Sequence, residues 1–215
     1  MKLHHKLILL FVFSLFMANL EAVIVVYLRE LYYPEGFHFP LKLIPTKIFI
    51  IELIREFSTI VMLLSIGILC GKFFIERFFY FIFCFGVWDI FYYVWLKLFL
   101  NWPESLMTDD ILFLIPVPWI APVYAPVTIA ISMIIFSLIS FYLQQKGYVL
   151  KTDKFSTLTA FVGVVLILFS FTYDFQKRVA SISPVEFPLL IFLIGEILLI
   201  LSYLLFLRNM KKLTG

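Results

Sequence analysis

Charge is scarce in this chain. Asp, Glu, Lys and Arg make up 14% of its 215 residues, where a soluble domain carries about 25%. A surface so poor in charge cannot face water, which excludes a soluble enzyme, a nucleic-acid-binding protein and a disordered chain. Histidine is nearly absent. His4, His5 and His38 are the only three, and none falls inside an apolar run, so this chain offers no ligands for a bis-histidine haem in a bilayer. Two cysteines, Cys70 and Cys84, lack CxxC spacing and read as small buried apolar residues rather than a disulfide or a thiolate metal site. There is no glycine-rich phosphate loop, and no Ser/His/Asp set can be drawn. The sequence therefore implies no cofactor and no metal site. Carboxylates alone would suit only hard cations such as Mg²⁺, Mn²⁺ or Ca²⁺.

What is abundant is apolar: 63% hydrophobic residues and 20% aromatics, 27 of them Phe. A membrane-spanning helix needs roughly 20 mostly apolar residues. Six runs of that size fit, at about 7–28, 47–70, 77–100, 123–143, 155–175 and 187–207. They leave only short loops. The expectation is an all-α integral membrane bundle of six transmembrane helices forming one domain. The first run follows Lys2 and Lys6 but is too long for a signal core, and no A-x-A site closes it, so it reads as a retained span.

Between the third and fourth runs lies NWPESLMTDDILFLIPVPWIAPVYAPV, with Pro103, Pro116, Pro118, Pro122 and Pro126. Thr108 followed by Asp109 and Asp110 reads as a helix start. Ile111 to Ile115 is too short to span, and Pro116 and Pro118 stop it. The segment is expected as a short re-entrant or interfacial helix, with Trp102 and Trp119 at headgroup level.

The sign of the charge depends on the side of the membrane. The side holding the N-terminus carries ten bases, among them Lys2, Lys6, Lys72 and Arg77, against only Glu76 and Asp153. The opposite side, with the adjacent halves of the spans, carries seven bases and eleven acids. Lys and Arg favour the cytoplasm. Both termini are therefore expected inside, in a bacterial or archaeal inner membrane.

Polar groups within the spans gather on the acidic side. Glu52, Arg55, Glu56 and Thr59 in IELIREFST stand at i, i+3, i+4 and i+7 and share one helical stripe. Arg55 can pair with either carboxylate and leave one acid for Arg29, a substrate amine or a cation. In FGVWDIFYYVWLK, Asp89 lies near mid-span, with Tyr92, Tyr93 and Leu96 on its face and Trp88 and Trp95 flanking it. It reads as a proton carrier or as a partner of Arg29 or Arg55. Glu21, Asp89 and Glu196 are the midplane acids. Arg29 with Glu30, and Asp174 with Lys177 and Arg178, read as interfacial pairs. His38 reads as a surface residue, and Gly67 with Gly71 as a packing GxxxG. A charge at bilayer depth costs at least ~2.5–3.5 kcal/mol, so these groups need one another or a wet cavity. The candidate binding residues are Glu52, Arg55, Glu56, Asp89, Tyr92, Glu21 and Arg29. The alternative reading is a buried salt-bridge cluster that only fixes helix register.

The strings ELIREFSTIVML, FGVWDIFYYVWLK, WPESL and DDILFLIPVPWIAPV, over roughly residues 50–127, resemble a family of small bacterial multi-span membrane proteins. The resemblance implies a helical membrane fold and nothing about activity. No motif of intramembrane glutamate proteases, phosphatidyl transferases or lipid-diphosphate phosphatases appears.

Three functions stay open. One is a small transporter or ion- or proton-coupled binding protein with an outward-facing acidic site. Another is an intramembrane enzyme acting on a lipid or isoprenoid, with Asp89 or Glu52 as general acid or base. The last is an accessory subunit of a larger membrane complex. The partners these imply are the bilayer, a small cation, a proton or a lipid ligand, and membrane-complex subunits, with no nucleic acid.

Overall fold

The computed structural model describes residues 2–42, 44–180 and 186–212; the side chain of Arg178 lies outside the described residues. Six helices are long and apolar enough to cross a membrane. They are α1 (Leu3–Tyr32), α2 (Thr46–Cys70), α3 (Phe74–Leu100), α4 (Tyr124–Gln145), α5 (Lys154–Thr172) and α7 (Leu189–Asn209), with the one-and-a-half-turn α6 (Phe175–Ala180) between the last two. The chain is an integral membrane protein on that ground. Each span carries large apolar side chains outward, such as Leu20 and Tyr27 on α1 and Ile54 and Phe57 on α2. That outward face is the pattern lipid demands.

α3 is the central helix. It packs against α1, α2 and α4, while α5 pairs with α7, which touches α4. The core around α3 is aromatic: Phe79, Tyr80, Phe83 and Trp88 are buried beside Met17, Leu63 and Phe141. Small residues bring helices close. A Cβ on Gly163 of α5 or Gly195 of α7 would lie 2.9 Å from the other's carbonyl oxygen. Gly67 similarly meets Arg77 at the α2–α3 crossing, 2.8 Å from its carbonyl oxygen, so the GxxxG of α2 packs within the chain.

Helix ends follow local chemistry. Asp153 caps α5 by accepting the N–H groups of Phe155 and Ser156, and Ser156 reciprocates in a capping box. The Ser156 hydroxyl and these amides hold the exposed Asp153 carboxyl below its usual range. α3 stops at Asn101, which adopts a left-handed φ of 52°. Lys97 then donates to the freed carbonyls of Asn101 and Pro103 at 3.2 and 2.9 Å.

The proline-rich segment departs from expectation. It is a hairpin of β1 (Asp109–Phe113) and β2 (Trp119–Pro122), antiparallel, with Asp110 opposite Ala121 and Ile111 opposite Ile120. Thr108 does not cap a helix. Its hydroxyl accepts the Ser105 N–H at 3.2 Å, closing a turn. Pro116 and Pro118 leave too few consecutive donors for a helix, and Ile, Phe and Trp on either side suit a ladder. Pairing satisfies the backbone within a chain that has little water around it. A second short pair joins β3 (Tyr148–Val149) to β4 (Lys211–Lys212) on the side of the termini.

Candidate functional site

A cavity of about 440 Å³ opens at the end of the bundle away from the termini. Its walls come from the last turns of α1, the first turns of α2, the second half of α3, the 33–44 loop and β1. All seven candidate residues line it: Glu21, Arg29, Glu52, Arg55, Glu56, Asp89 and Tyr92. The stripe on α2 forms because 3.6 residues per turn sets Glu52, Arg55, Glu56 and Thr59 along one face. That face looks at α1 and α3.

The pairing differs in part from the sequence reading. Arg55 Nε donates to Glu52 at 2.7 Å, as the spacing implies. Its Nη1 crosses to Glu21 of α1, where the Thr59 hydroxyl also donates, at 3.1 Å. Glu56 is not the second partner of Arg55. Both its oxygens accept the Leu114 N–H, at 2.9 and 3.1 Å, just beyond β1. The short hairpin thus supplies a backbone donor that no periodicity could announce.

Arg29 is not interfacial but buried, 8% exposed. Its Nη2 pairs with Asp110 at 3.3 Å. Its guanidinium lies 3.7 Å from the Trp102 ring centroid and 4.6 Å from that of Phe37. Arg29 therefore ties α1, the 33–44 loop, the end of α3 and the hairpin together. Nη1 of Arg29 and Oδ2 of Asp110 make no hydrogen bond among the described residues. Burial pushes the Asp110 carboxyl up to about 6, against the pull of the Arg29 guanidinium and the Ile111 N–H. Asp110, Trp102 and Phe37 were missed as site residues. Asp110 looked like a helix-start acid, and only the aromatic density of YYPEGFHFP hinted at the loop's part.

Asp89 pairs with neither arginine. Among the described residues no hydrogen bond or ion pair reaches its carboxyl, and its Oδ2 is buried without a partner. Trp88, Tyr92 and Tyr93 stand around it on the cavity wall. Five carboxyl groups line the cavity (Glu21, Glu52, Glu56, Asp89 and Asp110) against three described bases, Arg29, Arg55 and the exposed Lys42. Much of the remaining wall is apolar, with Val25, Leu28, Leu41, Ile44, Phe49 and Leu112.

Glu196 lies elsewhere. It is buried on α7 and accepts from Ser132 of α4. So two of the three midplane acids, Glu21 and Asp89, share the cavity and the third does not. Asp174 pairs with Lys177 at 3.2 Å in an exposed position. His38 is also exposed, its ring edge-on to Tyr33. Lys6 at the opposite end donates to the Cys70 carbonyl, and Glu76 accepts from Lys72 N–H and Gln144. These contacts tie α1 to α2 and α3 to α4 beneath the cavity. No family model, curated protein or solved structure matches this chain.

Proposed function

We propose that the chain is a small transporter or ion-coupled binding protein whose cavity takes a cation bearing an ammonium group. The observation that carries this reading is Asp89: a carboxyl in the middle of a span, on the wall of a cavity, with no partner among the described residues. Such a group is costly unless something positive sits against it or a proton neutralises it. The surplus of acids over bases has the same sign. Aromatic faces at Trp88, Tyr92 and Tyr93 suit an organic cation. Among the described residues no three His, Cys, Asp or Glu side chains form a metal-holding group, which favours an ammonium or a proton over a divalent ion. Arg55, held by Glu21 and Glu52, serves as the resident counter-ion that a cationic ligand displaces.

The orientation belongs to the same proposal. The basic side lies in the cytoplasm with both termini, and the cavity opens outward from an inner membrane. Uptake of a labelled small amine into proteoliposomes, driven by an imposed pH gradient, tests the reading. The Asp89→Asn protein is expected to lose gradient-driven uptake while folding normally. Uptake unchanged by that substitution overturns it.

A further inference from the structure

The cavity wall mixes charged and apolar groups, and that mixture points to the class of ligand. Glu21, Glu52, Arg55 and Asp89, among its charged groups, come from α1, α2 and the middle of α3. Val25 and Leu28 on α1 and Phe49 on α2 add an apolar strip to the same walls. α1 and α2 each rest along α3. Arg55 and Glu21 bridge the space between them, and Phe49 is 36% exposed at its edge. On their outer flanks both helices turn large apolar side chains to the surroundings, including Tyr27 and Leu31 on α1 and Ile50 and Ile54 on α2. Both helices that wall the cavity therefore also carry surface suited to lipid.

We propose that the ligand is an amphiphile: an ammonium head carried on an apolar chain, entering from the bilayer between α1 and α2. The head meets Asp89 among Trp88, Tyr92 and Tyr93. The chain lies along Val25, Leu28 and Phe49 toward the gap. This deepens the cation reading above and rests on it. A small hydrophilic cation would leave the apolar strip wetted and unused. A cavity of about 440 Å³ has room for a compact head and part of a chain, within the ~300–1,000 Å³ usual for small-ligand sites. An anionic head is disfavoured by the surplus of carboxyl groups.

The test is a chain-length and charge series on the full chain in amphipol, read by titration calorimetry at neutral pH. The probes are butylammonium, decylammonium and decyl sulfate. Each methylene taken out of water tightens binding about fourfold, so decylammonium should bind at least tenfold more tightly than butylammonium, and decyl sulfate should not bind. Val25→Phe, which fills the strip, should weaken decylammonium at least fivefold and butylammonium by a smaller factor. Asp89→Asn should weaken both amines. Equal binding of the two amines overturns the amphiphile and leaves the cation reading standing. Failure of both amines to bind, or decyl sulfate binding as tightly as decylammonium, overturns the two together. The comparison within the parent chain needs no variant, so a substitution that misfolds does not blunt it.

Discussion

Arg55 of α2 donates to Glu21 of α1 on the wall of a cavity. The two residues belong to helices that each pack along α3. The same guanidinium holds Glu52 on its own helix. Arg55→Met should therefore strand two carboxylates at once. The expected loss is about 2–4 kcal/mol, toward the low side of the ~3–5 typical of a broken buried pair, because the cavity leaves both acids partly solvated. Glu21→Gln should cost less, about 1–2 kcal/mol, since Glu52 still neutralises Arg55. Thermal unfolding of the detergent-solubilised variants orders them, and a Glu21→Gln loss larger than that of Arg55→Met would contradict the arrangement.

Arg29 should not tolerate lysine. The planar guanidinium is flanked by Trp102 and Phe37 while its edge reaches Asp110. An ammonium can keep the charge but not the stacked plane together with the fork. Arg29→Lys is expected to lower stability by about 1–3 kcal/mol. Quenching of tryptophan emission by acrylamide should rise as Trp102 loses its cover.

Stability should depend on pH through Asp110. Burial lifts its carboxyl to about 6 in the folded chain, against an ordinary value of 3.8. Between those values the folded chain holds a proton that the unfolded chain releases. Its contribution to stability is therefore fully present below about pH 4, falls as pH rises, and is flat above about pH 6. The ion pair with Arg29 is complete only above that upper limit. Relative to Asp110→Asn, the parent chain should lose thermal stability from about pH 4.5 to 6 and then hold level. A difference that does not vary with pH over that range would refute this.

Gly195 and Gly163 set how closely α5 and α7 approach, since a Cβ on either would lie 2.9 Å from the other's carbonyl oxygen. Gly195→Val should push the helices apart and cost about 1–3 kcal/mol. Glu196, the next residue, accepts from Ser132, and among the described residues no base pairs with it. Glu196→Gln keeps an acceptor for that hydroxyl and should be close to neutral in the same unfolding assay. It should also leave amine uptake unchanged, since Glu196 does not line the cavity.

Much of the site was legible, and the way it was legible is instructive. Glu52, Arg55 and Glu56 announced themselves because charge at bilayer depth is expensive, and their helical spacing put them on one face. Asp89 stood out for the same reason. What spacing could not supply was the partner of each group. Glu56 takes its hydrogen bonds from the Leu114 backbone, 58 residues away in sequence. Asp89 takes none from the described residues, and Arg29 reaches Asp110 across 81 positions. The hairpin was misread as a helix start because Thr108, Asp109 and Asp110 satisfy the local rule for a cap. The rule that prevailed is not local. Ile111 and Phe113 needed Ile120 and Trp119 opposite them, with the prolines between them making the turn.

Hydrophobicity over twenty-residue windows determined the six spans, because a backbone in lipid must close its hydrogen bonds within the helix, and that is a property of the segment alone. The lopsided distribution of Lys and Arg came from the sequence in the same way. The cavity was decided in three dimensions. Its walls come from separate helices, a loop and a strand, and its chemistry depends on which carboxyl finds a guanidinium and which does not. Five acids and three bases permit several pairings at similar cost. Only the packing of α1 and α2 against α3, with the hairpin wedged beside them, selects the one that leaves Asp89 without a partner among the described residues.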